Sequence, residues 1–211
     1  MKSLTFSIGL LFITFSHTLL ALSDYEEAMK KGITELHSAQ GPEAMNRAAN
    51  FFERIAATEN EEWLPAYYAA YARITLGAME NSDEQLDLAQ AHLDNIADKE
   101  SENSEVIALQ GYLYTIRVAL DPANRGPQLA PKTIQTLSEA VQMNSRNPRA
   151  LMLLAQMQYG TAQFFNSDTQ EACQMIDKSI LLFEENTGSG PLQPNWGQDI
   201  AERIKQQCTE E

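Results

Sequence analysis

The sequence predicts an all-α fold, an α-solenoid of about four antiparallel helix pairs closed by a carboxyl-terminal capping helix. One face with the spacing i, i+4, i+7 is written four times: Ala48, Phe52 and Ile55; Ala89, Leu93 and Ile96; Thr133, Leu137 and Ala140; Ala172, Ile176 and Ser179. That spacing is one side of a helix with 3.6 residues per turn. Counting 22 residues on from Ala48, Ala89 and Thr133 reaches Ala70, Gly111 and Ala155, small residues inside a second helical pattern. A constant offset requires a constant junction between successive helices, as in a helical repeat. Within pairs the distance varies: 19 from Ala70 to Ala89, 22 from Gly111 to Thr133 and 17 from Ala155 to Ala172. Insertions therefore gather on one edge of the stack, where loops lengthen without disturbing how repeats meet.

Residues 1–23 read as a signal peptide, with Lys2 at its start, an apolar core over Leu10–Phe15 and Leu19–Leu22, and small residues at Ala21 and Ser23 for cleavage before Asp24. An uncleaved anchor is the alternative, though the apolar run is interrupted and short for a membrane span of about 20 residues. The remaining 188 residues, 24–211, fit a single helical-repeat domain. The first helix is expected from Asp24, its candidate cap, to Ser38, with Ala28, Ile33 and Leu36 facing inward. The second follows Gly41-Pro42 and runs to Thr58, with Pro42 in its first turn. The third spans Glu61 to Leu76, which places Pro65 in the first turn, where a missing amide is harmless. Ser82 or Asp83 caps the fourth, ending near Ala97, and the fifth spans Ser104–Leu120. Gly111 inside it costs about 1 kcal/mol relative to alanine, which a close helix crossing would explain.

Three prolines and a glycine between Asp121 and Pro131 predict an irregular connection, with helix resuming over Lys132–Met143. Asn147 caps the seventh helix, Pro148 opens it, and it ends near Gly160. Ser167 or Asp168 caps the eighth, which reaches Glu185; an irregular stretch containing Trp196 follows, then a last helix over Gln198–Cys208. Cys173 and Cys208 could form a disulfide worth about 3–4 kcal/mol in chain entropy, or remain two separate thiols, and their spacing does not decide between these.

Loss of Lys2 takes the formal charge from −14 to −15. A field of that sign repels phosphate backbones and anionic lipid headgroups, so nucleic acid and membrane insertion of the mature chain are both set aside. Two cysteines make a structural zinc site improbable, His37 and His92 lack metal-ligand spacing, and no glycine-rich phosphate loop is present. With no nucleophile–base motif either, the expectation is a non-enzyme with no metal and no cofactor.

The second helices carry Ala48 with Phe52, Ala89 with Leu93, Leu137 with Ala140 and Ala172 with Ile176, and the first helices Ile107, Gly111 and Tyr114, then Leu151, Leu154 and Ala155. In these residues the chain resembles the tetratricopeptide repeat family, with degenerate repeats whose usual 34-residue period is stretched by edge loops. With its Asp121-Pro122, Arg125-Gly126, Asn147-Pro148-Arg149 and Trp196-Gly197 segments it also resembles small exported repeat proteins of Bacteroidetes-type bacteria, which implies a periplasmic address and points to no activity.

The family's ligands lie in a concave groove lined by first helices. The resemblance therefore implies a peptide-binding groove at Tyr67, Tyr71, Tyr112, Thr115, Met152, Gln156 and Tyr159, with Arg149, and less directly Arg73, as the cations for a carboxylate clamp. So few cations suit a neutral or basic segment better than an acidic one. The competing expectation is that the tyrosines pack between neighbouring helices. A second candidate is the inserted edge, Asp121 and Arg125, with Trp196: the expected roles are structural, Asp121 as a cap or turn, Arg125 paired with an acidic helix surface and Trp196 sealing the last repeat, with a small pocket between the insertion and Trp196 as the alternative. The expected function is an exported scaffold for protein–protein or peptide binding, with a small-molecule or glycan-binding module, or a structural spacer, as alternatives. An open aromatic furrow favours peptide, a closed polar pocket a small molecule, and a groove blocked by its own side chains a spacer.

Overall fold

In the computed structural model the backbone is described for residues 9–185 and 190–210, and side chains from Asp24 onward except at 186–189, 210 and 211. The described residues form nine helices and no strand: α1 (Gly9–Ser38), α2 (Gly41–Thr58), α3 (Trp63–Glu80), α4 (Asp83–Ala97), α5 (Ser104–Leu120), α6 (Pro122–Met143), α7 (Pro148–Phe164), α8 (Gln170–Glu185) and α9 (Gln198–Glu210). Each helix packs on the next up to α8, while α1, α3, α5 and α7 also touch in succession. Odd helices thus build one continuous inner layer and even helices an outer one, with α9 against α8. This is a tetratricopeptide-like solenoid.

The repeated face is buried in every outer helix: Phe52, Ala89, Leu137, Ala140, Ile176 and Ser179 are fully enclosed. The outer helices bury one stripe each, whereas α3 and α7 bury residues all round, as helices flanked on several sides must. Their partners along the offset, Ala70 and Ala155, are also enclosed. At Gly111 an added Cβ would overlap the Leu137 side chain of α6, so the glycine permits the crossing of α5 and α6.

Several expected boundaries move: α3 continues past Leu76 to Glu80 and α7 past Gly160 to Phe164, each by about one turn, and two others move further. Helix α1 does not begin at Asp24 but runs through it from Gly9, since no proline or glycine between Leu10 and Ser38 other than Gly32 interrupts it. The predicted signal peptide, 1–23, lies outside the residues whose side chains are described. No described helix is long and apolar enough to cross a membrane. The irregular connection expected over 121–131 is also corrected, because α6 starts at Pro122. Asp121 alone breaks the chain; its carboxylate accepts from the Asn124 amide at 3.4 Å, and Pro122 sits where its missing N–H is not needed. Pro127 and Pro131 are four apart and exposed, so the carbonyls they leave unpaired face water.

The junction between α5 and α7 is made by polar residues at their first turns. Asn147 caps α7 by accepting from the Arg149 and Ala150 amides at 3.0 and 3.1 Å. Its amide nitrogen donates to Ser104 Oγ at 2.9 Å, and Ser104 donates in turn to the Ala140 carbonyl at 2.9 Å. One buried chain of hydrogen bonds therefore fixes α5, α6 and α7 together. Beside it Arg149, 3 % exposed, donates through Nε and Nη2 to Glu105 at 2.7 and 2.6 Å. Burial works to lower the Arg149 pKa, and the hydrogen-bonded Glu105 carboxylate outweighs it, so the guanidinium stays charged.

Removing one partner of a buried pair strands the other charge. Glu105→Ala is expected to lower unfolding free energy by about 3–5 kcal/mol in urea titration, and adding Arg149→Met to recover most of it. Glu61→Ala, whose pair with Lys99 at 3.3 Å is exposed, should change it by less than about 1 kcal/mol. Gly111→Ala should destabilise by about 1–2 kcal/mol in the same assay despite alanine's better helix propensity, because Leu137 must move. A stabilised Gly111→Ala protein would contradict the close crossing.

Candidate functional site

The inner layer presents an aromatic surface, built because α3 places Tyr67, Tyr68 and Tyr71 across two turns and α5 brings Tyr112 alongside. Tyr71 and Tyr112 lie 6.4 Å apart with planes 28° from parallel. Tyr67 and Tyr68 are fully buried, and Tyr68 stacks on Phe52 of α2 at 5.0 Å.

This surface is not an open groove. The segment 190–197, between α8 and α9, crosses it. Tyr68 donates to the Leu192 carbonyl at 3.0 Å, and the Trp196 indole N–H donates to the Tyr67 hydroxyl at 3.1 Å. Tyr67 donates onward to Glu105 at 3.4 Å, so the strap joins the Glu105–Arg149 pair. The Trp196 ring stacks on Tyr71 at 4.5 Å and on Tyr112 at 5.5 Å. Gly197 then turns the chain into α9 with φ of 107°, and a Cβ there would lie 3.1 Å from Met152 Cε and Phe183 Cζ. Glycine is required both for the backbone and for the approach.

Burial first, then Asp199, pushes the Tyr112 hydroxyl up to about 12. Burial first, then Tyr112 and Asp199, raises Tyr71 as well, and burial followed by Glu105 raises Tyr67. All three phenols are therefore neutral hydrogen-bonding rings at neutral pH.

Of the other groove residues, Thr115 is buried and donates to the Gly111 carbonyl at 3.0 Å, Met152 is enclosed, and Tyr159 is 4 % exposed and accepts from Gln163 at 3.0 Å. Gln156 is half-buried, and its Oε1 is enclosed without a hydrogen-bond partner. Neither candidate cation serves a carboxylate clamp, in keeping with the scarcity of cations on this face: Arg149 is committed to Glu105. Arg73 is committed to Glu53 at 2.7 Å and to Asn46, Asn50 and Gln85 between α2, α3 and α4. Burial works to raise the Glu53 pKa, but hydrogen bonds from Arg73 and His92 hold it below the usual carboxylate range.

Asp121 and Arg125 take structural roles, as expected for a cap and a helix-pairing cation. Asp121 caps α6, and Arg125 grips Asp83 of α4 at 2.7 and 2.6 Å. Trp196 sits on the inner aromatic surface, stacked on Tyr71 and Tyr112. Cys173 and Cys208 form a disulfide, with Cα atoms 5.9 Å apart, joining the start of α8 to the end of α9. The bond accords with an exported protein.

Two features have no counterpart among the sequence-derived candidates. Adjoining polar clefts of about 490 and 300 Å³ lie at the edge where pairs join, the first along Lys99–Glu105 and the second around Arg146, Asn147 and Glu185. Phe164 and Phe165, at the turn after α7, are 70 % and 71 % exposed and meet edge to face at 5.1 Å. Two consecutive phenylalanines directly before Asn166-Ser167-Asp168, a turn sequence, were the available signal. No group of histidine, cysteine and carboxylate side chains among the described residues is arranged to hold a metal ion.

No protein-family model and no curated protein matches the chain. Among solved structures it is similar to the HusA haemophore from Porphyromonas gingivalis, with 28 % identity and a TM-score of 0.78 over 88 % of this chain and 93 % of that one. A MamA double mutant aligns over 84 % of this chain and 96 % of its own at 17 % identity, with a TM-score of 0.43.

Proposed function

We propose that the chain is an exported, non-catalytic carrier of the cell envelope that captures a flat, hydrophobic tetrapyrrole of the haem class. The observation that carries this reading is the likeness to a haemophore along 88 % of the chain at 28 % identity. The exposed Phe164–Phe165 pair, and the aromatic inner layer once the strap over it is lifted, supply surfaces on which a flat apolar ring system gains contact area and stacking. Neither described histidine is arranged for an iron: His92 is held by Glu53 at 3.1 Å, and His37 sits exposed in the last turn of α1. Recognition in this reading runs through the ring faces and the acidic side groups of the ligand.

A second reading, peptide or protein binding along the inner layer, has one observation in its favour. The strap is held as an extended peptide would be, by a backbone carbonyl and an aromatic anchor. Its occupant here is the chain itself.

Titration of the purified protein with haemin and with metal-free protoporphyrin IX, followed by absorbance, separates the two. Both are expected to bind, with affinities within about tenfold of each other, equivalent to 1.4 kcal/mol. Failure of both at micromolar protein would overturn the carrier reading and leave the peptide one.

A further inference from the structure

We propose that the shelf formed by Tyr71 and Tyr112 is a binding slot for a flat, multi-ring aromatic ligand, and that Trp196 is its resident stand-in, displaced when ligand enters. This rests on the tetrapyrrole reading and assigns that ligand a place.

The shelf spans two successive inner helices, α3 and α5, and its two rings lie 6.4 Å apart and within 28° of parallel. Such a pair offers two near-parallel ring faces from neighbouring helices to one flat ligand. The indole that occupies it already shows the recognition mode: Trp196 lies within 25° of the Tyr71 plane and 30° of the Tyr112 plane. Offset stacking of this kind is as available to any flat heteroaromatic as to tryptophan.

The hydrogen bonds that seat the strap on the tyrosines are neutral: Trp196 to Tyr67 and Tyr68 to Leu192. Neutral hydrogen bonds contribute modestly in net free energy, and because Tyr67 is buried the entering ligand must itself satisfy the hydroxyl that Trp196 leaves. Helix α9 is held independently, by the Cys173–Cys208 bond and by the Lys205–Asp177 pair at 2.6 Å. Trp196 can therefore leave its seat while α9 stays on α8.

One polar group suits a tetrapyrrole at the rim. Arg203 on α9 is 63 % exposed in its side chain and pairs with Asp199 at 2.8 Å; both charges reach Tyr71 and Tyr112, that of Asp199 the more strongly. A ligand carboxylate entering here would take Arg203 from Asp199.

The test uses the full chain, ¹⁵N-labelled, with metal-free protoporphyrin IX as a diamagnetic probe. The two indole N–H resonances are assigned with Trp63→Phe. On saturation the Trp196 resonance should shift or broaden as it loses Tyr67, while that of Trp63 stays. Trp196→Ala should bind the probe about tenfold more tightly, since the closed population that competes with ligand is removed. A merely structural tryptophan would give weaker or unchanged binding on removal, and either result overturns the slot. Binding that leaves the wild-type Trp196 resonance in place, or that is abolished by Phe164→Ser with Phe165→Ser, would also overturn the slot while the carrier reading stands. If neither the wild type nor Trp196→Ala binds the probe, both fall. The wild-type spectrum decides the matter even if Trp196→Ala does not fold.

Discussion

Arg149 reaches from the first turn of α7 to Glu105 on α5, and the inner face of the solenoid is arranged around that contact. Arg149 is enclosed and Glu105 half-buried, so the worth of the pair lies less in its own free energy than in the buried guanidinium its disruption would strand. Its surroundings hold it in one geometry: Asn147 and Ser104 clamp the same two helices a residue or two away, and Tyr67 adds a hydrogen bond to Glu105. Through Tyr67 the pair reaches Trp196. A contact between two first turns thereby sets where the carboxyl-terminal strap can lie.

The strap and the disulfide divide the work of closing the stack. The Cys173–Cys208 bond closes a loop with a sequence separation of 35, worth about 3–4 kcal/mol in the chain-entropy picture, and holds α9 on α8. Trp196, anchored without a covalent tie by burial, stacking and a hydrogen bond, lies on the aromatic shelf. The covalent tether thus sits away from the aromatic surface, and the non-covalent one lies directly on it.

Periodicity made the helices legible because it is local. The i, i+4, i+7 faces and the 22-residue offset depend only on how one helix joins the next, and those positions are the buried ones. Proline counting failed over 121–131 because an exposed helical face tolerates carbonyls that face water, which composition cannot show. The inner-face residues were legible as a set, through Tyr67, Tyr71 and Tyr112, but their occupant was not. Trp196 meets Tyr67 across 129 residues, and no local pattern encodes that pairing. Arg149 looked free for the same reason, since Glu105 lies 44 residues away on another helix.

The most direct test of a closed aromatic inner face is acrylamide quenching of Trp196 in the Trp63→Phe protein, which leaves it as the sole tryptophan. With Trp196 5 % exposed and stacked between α3 and α5, emission should be blue-shifted and quenched several-fold less than free indole. Emission and quenching like those of free indole would place Trp196 in water and contradict the sealed shelf.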